Sequence, residues 1–266
     1  MISIRGGAGL GDALYVQAAA RYLVGLGEEV EACCDWPDVF RPLGAAVTVS
    51  PFRRHPIDRL AHYAARRGEP TTTQFEDVLI SAGLPRDVPL RLVWTLTAPP
   101  LIRPPDDRPL VLVTLPRAPM GRTDGFGAEL LPDCGVIQHI IDGIADRATV
   151  VQIGAGKSLY QFRGLAADLA NKTTVAQLID LASVAAGIIG YPSFVIPLAE
   201  SLSIPALVIW SRRGLNSRRP VIRQMRPRKL LHRGSPVRWL VDDAPEPQLR
   251  AAADALLEQI RTPALV

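Results

Sequence analysis

Cysteine is scarce in this chain: three residues in 266, two of them adjacent at Cys33 and Cys34. That number excludes a disulfide framework, and the spacing excludes a C-x-x-C metal site. A reducing compartment, and so a cytoplasmic location, is the expectation. Aromatic residues make up only 6% of the chain. Long apolar runs are missing as well. The most membrane-like stretch, Ala182–Trp210, is broken by Pro192, Pro197, Glu200 and Pro205. A spanning helix needs roughly 20 unbroken apolar residues, so no transmembrane segment is expected. The opening MISIRGG has no apolar signal-peptide core. Acidic residues are absent from Ser201 to Val241, where ten Lys and Arg accumulate. The net charge of +4 therefore hides an acidic body carrying one basic segment. Such a segment favours an anionic partner: phosphate, nucleic acid or an anionic glycolipid.

What is present is ordinary globular composition, 48% hydrophobic and 21% charged, with enough chain for one large or two small cores. Twenty-four prolines and 21 glycines imply many turns. Apolar spacing predicts strands at Ile2–Arg5, Glu29–Cys33, Ala46–Val49 and Leu90–Trp94. Helices are predicted at Asp12–Gly25, Ile57–Arg67 and Phe75–Ala82. A second series follows: strands Leu110–Thr114, Thr149–Ile153, Gly187–Ile189 and Ala206–Trp210, with helices Val136–Ala145, Val175–Ala185, Ser193–Leu202 and Gln248–Ile260. Thr174-Val175-Ala176-Gln177 is a capping box. Alternating strands and helices predict an α/β fold with parallel sheets. Ala98–Pro109 has five prolines in twelve residues and reads as a semi-rigid linker. The expected organisation is an N-terminal Rossmann-like domain (1–97), the linker (98–109) and a C-terminal Rossmann-like domain (110–266). Two such lobes would face a cleft, with ligands at the carboxyl ends of the strands.

Three stretches carry chemistry. Gly6-Gly7-Ala8-Gly9-Leu10-Gly11-Asp12 lies between a strand and a helix. Its glycines allow close backbone approach, and the helix N-terminus attracts anions. A dinucleotide fingerprint fits poorly, because Asp12 stands where its third glycine belongs. Asp12 either caps the helix or stands at the cleft edge as a general base. Gly154-Ala155-Gly156-Lys157-Ser158 imitates the end of a P-loop, but the preceding glycine of that pattern is Val151 here. It is either a surface turn or a strand end that lets a nucleotide reach the backbone. In the third stretch, Ser193 is presented near a helix N-terminus, a ready phosphate site. Glu200 lies in an otherwise apolar helix. It either faces solvent or holds polar ligand groups such as ribose hydroxyls.

Asn171–Leu178, NKTTVAQL, followed by IIGYPSFVIPLAESLSIPALVIW up to Trp210, resembles glycosyltransferase family 9, the heptosyltransferase-like family. The family patterns are GKTSLxELAxLL and VVGNDSGPMHLAAALGVPVVALFG. Gly9–Leu14 resembles the family's N-terminal Gly-Asp loop, and Arg238–Asp242 with the closing amphipathic helix resembles its C-terminal end. The resemblance implies a GT-B fold and an inverting, metal-independent glycosyltransferase. A nucleoside-diphosphate sugar would be the donor substrate, with no tightly bound cofactor. It implies Asp12 as the base for the acceptor hydroxyl and Ser193 as a contact to the donor phosphates; the residues themselves add Gly9, Gly11, Gly154, Lys157 and Glu200 as candidate donor contacts. Arg117 and Arg122, after strand Leu110–Thr114, stand where the family carries basic phosphate contacts. The family's Asp, Gly and His in DSGPMH are Pro192, Phe194 and Pro197 here.

The leading expectation is sugar transfer to an acceptor hydroxyl on a glycan, a glycolipid or, in a phage-type DNA-modifying enzyme, a hydroxylated nucleobase. The alternative is a non-catalytic module of the same fold that binds nucleic acid or a protein through the basic segment 212–238. A nucleotide-binding oxidoreductase using the Gly6–Gly11 loop is a third.

Overall fold

Strand β1 (Ile2–Arg5) runs through the glycine loop into helix α1 (Leu10–Gly25), and β2 (Val30–Cys33) returns beside it. A 3-10 stretch (Pro37–Ala46) then leads to β3 (Val47–Ser50), β4 (Arg59–Leu60) and α2 (Gln74–Ser81). The second series is β5 (Leu110–Thr114), α3 (Cys134–Ile144), β6 (Thr149–Ile153), β7 (Ala167–Asp168), α4 (Val175–Val184) and β8 (Gly187–Gly190). It continues through α5 (Val195–Leu202), β9 (Ala206–Trp210) and the short helices α6 (Arg212–Asn216), α7 (Pro220–Arg223) and α8 (Pro227–Leu230). Strand β10 (Val237–Val241) and α9 (Glu246–Arg261) close it. The computed structural model describes residues 1–52, 57–63, 71–104, 107–114, 128–158 and 160–261.

The strands form two sheets with orders β3-β2-β1-β4 and β10-β9-β8-β5-β6-β7. Every pairing is parallel. β5, β6 and β9 are buried along their whole length, as continuous apolar runs must be when helices cover both faces. One face of the second sheet is covered by α3 and α9 through Ile137, Ile140, Ile141, Leu256 and Leu257. The other face carries α4 and α5, and here the core does not stop. Leu178, Leu198 and Ala199 belong to one apolar cluster with Leu14, Ala18 and Phe40 of the first lobe. Two Rossmann-like lobes thus share a core along α1 and α5. No described helix is long and apolar enough to cross a membrane.

The structure corrects three predicted elements. Arg59–Leu60 is a strand paired with Ile4–Arg5, not part of a helix over 57–67, of which residues 64–67 lie outside the described residues. Leu90–Trp94 joins neither sheet. Leu92 N–H instead donates to the Ser201 carbonyl (2.8 Å) at the end of α5. Helix α5 starts at Val195, because Phe194 and not Ser193 is its N-cap residue.

The approach to the proline-rich stretch is anchored rather than loose. Buried Asp180 of α4 accepts Trp94 Nε1–H (2.7 Å), Thr97 N–H (2.9 Å) and Thr97 Oγ1–H (2.5 Å). Burial pushes this carboxyl up, but the Thr97 and Trp94 hydrogen bonds outweigh it and hold it below its ordinary value of 3.8. A depressed native pKa contributes stability above the ordinary value, and that stability is lost as pH falls through the native one. Asp180→Asn is therefore expected to lower Tm at neutral pH, with the gap to wild type closing below about pH 4. A pH series of thermal melts on both proteins checks this, and a gap that persists at low pH would refute the charge-based account.

Candidate active site

The carboxyl ends of β1, β5, β6 and β8 open into a cleft of about 680 Å³ between the lobes, lined by Gly9, Gly11, Asp12, Thr114, Gly154 and Ser193 among others. Asp12 occupies the first turn of α1. Its Oδ2 turns back to accept the Gly9 N–H at 3.2 Å. The glycines of the loop are required by contact: a Cβ on Gly7 would lie 2.4 Å from Asp12 Oδ2. Gly11 is tightly placed as well, since its Cβ would meet Phe194 Cα at 3.3 Å and Pro197 Cγ at 3.2 Å. The start of α1 therefore packs directly on the start of α5. Asp12 thus caps the helix and also lines the cleft. Burial raises its pKa above the ordinary 3.8, opposed by the nearby His62 and by the Gly9 N–H. A raised carboxylate pKa suits a general base.

A third helix N-terminus joins α1 and α5. Thr174 caps α4 by accepting Gln177 N–H at 3.2 Å, and Thr173, Thr174 and Val175 line the cleft. Three helix N-termini, with their positive dipole ends, bound one cavity, an arrangement suited to a diphosphate. Ser193 is part of this wall, with its hydroxyl donated to the Tyr191 carbonyl (3.0 Å). Gly154 has φ +123, a backbone conformation favouring glycine, and its turn is tied down by Asn171. Asn171 Oδ1 accepts Gly156 N–H (2.6 Å) and Asn171 Nδ2–H donates to the Gly156 carbonyl (3.0 Å). Among the described residues no helix follows this turn, which a P-loop requires.

Other expected residues stand elsewhere. Lys157 is exposed, beyond the cleft lining. Glu200 neither faces solvent nor lines the cleft: it is 7% exposed. Its Oε1 accepts His232 N–H at 3.0 Å and its Oε2 lies 3.1 Å from His232 Nε2. The helix turn that carries Pro197 to Gly11 carries Glu200 to the loop before β10. Arg117 and Arg122 lie outside the described residues. The basic segment is only partly a solvated face. Arg212 forms a two-point ion pair with Asp243 (2.7 Å each), and Arg219 meets Glu129 at 3.2 Å. Lys229, 5% exposed, donates to the Thr72 carbonyl (2.6 Å) and lies 3.4 Å from the fully buried Asp77 of α2. Arg213, Arg218, Arg223, Arg228, Arg233 and Arg238 are exposed.

Sequence reasoning missed Trp36, Tyr63 and Gln74 in the cleft lining. Trp36 follows β2 and Tyr63 follows β4, so the rule that ligands bind beyond strand carboxyl ends was the available signal. Cys34 lies near Asp12, but burial pushes its thiol up to about 11, against a nucleophilic role. Among the described residues, no group of three or more His, Cys, Asp or Glu converges as a metal site would require.

No protein-family model matches the chain, and no curated protein matches it significantly. Solved structures do match. The glycosyl transferase family 9 structure from Veillonella parvula DSM 2008 has a TM-score of 0.65 at 11% identity, over 97% of each chain. E. coli heptosyltransferase WaaC, solved with ADP, has a TM-score of 0.62 at 11% identity, over 98% of this chain and 100% of WaaC. The iron-containing dodecameric glycosyltransferase TibC from enterotoxigenic E. coli H10407 has a TM-score of 0.57 at 18% identity, over 78% of this chain. This chain spans only 59% of TibC. At these identities the likeness is one of fold, and the fold is the two-lobed GT-B arrangement of the heptosyltransferases.

Proposed function

We propose that the chain is an inverting glycosyltransferase acting on a nucleoside-diphosphate sugar. The observation that carries this reading is the convergence of Asp12 with the N-terminal ends of α1, α4 and α5 on one interlobe cleft. The acceptor oxygen would attack the anomeric carbon as the bond from that carbon to the diphosphate oxygen breaks. The acceptor proton passes to the Asp12 carboxylate, and the nucleoside diphosphate leaves with the bonding electrons. Helix N-termini aimed at the leaving group stabilise charge where it develops. Arg117 and Arg122, which follow β5 in the chain, are assigned to the same diphosphate. Gly9, Gly11 and Gly154, lacking side chains, would let the donor approach the backbone. The heptosyltransferase folds among the matches include one solved with ADP, which supports a nucleoside diphosphate as the ligand to try first.

Thermal shifts with UDP, ADP, GDP, CDP and TDP test the reading. A ligand at 100 times its Kd adds about 2.7 kcal/mol to stability, so one nucleoside diphosphate is expected to raise Tm clearly. No shift with any of the five, together with salt-dependent binding to duplex DNA, would transfer the assignment to a nucleic-acid-binding module using residues 212–238.

A further inference from the structure

Fifteen residues of this chain are aromatic, yet five of them line the single cleft that holds Asp12: Tyr15, Trp36, Tyr63, Tyr191 and Phe194. Three come from the first lobe, the side that carries the base, and each is held in place. Trp36 donates its indole N–H to the Ala8 carbonyl (2.8 Å) in the glycine loop, three residues before the residue that precedes Asp12. Tyr63 stacks on His62 with ring centroids 4.4 Å apart and planes 24° apart. Tyr15, one helical turn after Asp12, is 2% exposed and stacks on Phe75 at 5.4 Å. Its buried hydroxyl has no hydrogen-bond partner among the described residues.

Rigid rings beside a base have a chemical preference. A polyhydroxyl acceptor asks for a dense set of side-chain donors and acceptors. Among the described first-lobe residues of the cleft, those with polar side chains are Asp12, Gln74 and the Trp36, Tyr15 and Tyr63 rings. Asp12 accepts the Gly9 N–H, Gln74 Nε2–H donates to the Gln224 carbonyl at 2.8 Å, and Trp36 donates to Ala8. What remains is largely ring surface, suited to stacking a flat π-system. Aromatic platforms grip such rings without demanding a particular edge pattern.

We propose that the acceptor is a planar, ring-bearing alcohol or phenol that stacks against Trp36 and Tyr63 while its hydroxyl faces Asp12. This rests on the transferase reading above and names its substrate class. The ring has two possible sources. One is a free aromatic alcohol. The other is a hydroxylated nucleobase turned out of a nucleic acid, for which Arg213, Arg218, Arg223 and Arg228, exposed on the segment that reaches the cleft at Met225 and Leu230, would take the backbone.

The test uses the full chain with the nucleotide sugar whose diphosphate gives the thermal shift. Three acceptors are compared by mass spectrometry: 4-methylumbelliferone, duplex DNA containing 5-hydroxymethylcytosine, and lactose. Transfer to either planar acceptor and not to lactose is the expected result. A steep fall of KM-limited rate with salt, seen only for DNA, identifies the nucleic acid as the source. Trp36→Ala and Tyr63→Ala are each expected to raise the planar acceptor's KM at least about fivefold. Trp36→Phe restores most of the loss, and Trp239→Ala, an exposed ring outside the cleft, serves as a surface control. Transfer to lactose alone, or an unchanged KM in Trp36→Ala, overturns the acceptor assignment and leaves the transferase reading standing. Absence of any donor shift or donor turnover overturns both.

Discussion

Asp12→Asn is expected to abolish sugar transfer while making the protein more stable, not less. Removal of a positioned general base costs roughly a hundred- to ten-thousand-fold in rate. The stability sign follows from the direction of the shift. Burial raises the native Asp12 pKa above 3.8, so the native state holds this proton more tightly than the unfolded chain does. Stability is therefore lost as pH rises from the ordinary value through the native one, and at neutral pH the ionised carboxylate carries that penalty. Asparagine cannot ionise, and its Oδ1 still accepts the Gly9 N–H. Wild-type activity is expected to fall on acidification through a pKa above 3.8, because the base must be ionised to act. Initial rates and thermal melts of the two proteins decide the matter. Turnover within tenfold of wild type would remove Asp12 from the mechanism, and an inactive variant with a lowered Tm would make its role structural.

Lys229→Met carries the largest expected loss of stability. Lys229 and Asp77 join the basic segment of the second lobe to α2 of the first, with Asp77 fully buried and also accepting Thr72 Oγ1–H at 2.6 Å. Taking away the cation removes the ammonium that faces this buried carboxylate. Such a loss costs about 3 kcal/mol or more, a fall in Tm of roughly 6–12 °C for a chain of this size. Asp77→Asn combined with Lys229→Met removes both charges and is expected to recover much of that loss, since a buried pair replaced by neutral groups is often close to neutral in stability. A double-mutant cycle by chemical denaturation measures the coupling. Additive single losses would show that the ammonium and carboxylate do not act on each other.

Much of this protein could be read along the chain because the signals are local. Five buried residues in a row at Leu110–Thr114 and Thr149–Ile153 mark central parallel strands, and the Thr174 capping box marks the start of α4. The Gly6–Asp12 loop announced a strand-to-helix turn at a cleft, since glycine is needed wherever Asp12 folds back on the backbone. Glu200 could not be read this way. Its partner His232 is 32 residues away, and periodicity within one helix does not say which neighbour covers each face. Strand β4 is illegible along the chain because two residues are too few to show a period, and its identity comes from pairing with β1. The same holds for the basic segment: a run of like charges looks like a solvated face until Lys229 finds Asp77 across 152 residues.

The sequence by itself determined the α/β alternation, the two lobes, the glycine loop and the presence of a carboxylate at the end of the first strand. All of these depend on neighbours a few residues apart, through burial, backbone freedom and capping. Only the tertiary structure decided that three helix N-termini share one cavity, that Trp36 and Tyr63 line the same cleft as Asp12, and that Glu200 serves His232 instead. Those outcomes depend on how α1 packs against α5 and where each strand's carboxyl end opens, which are properties of the assembled core.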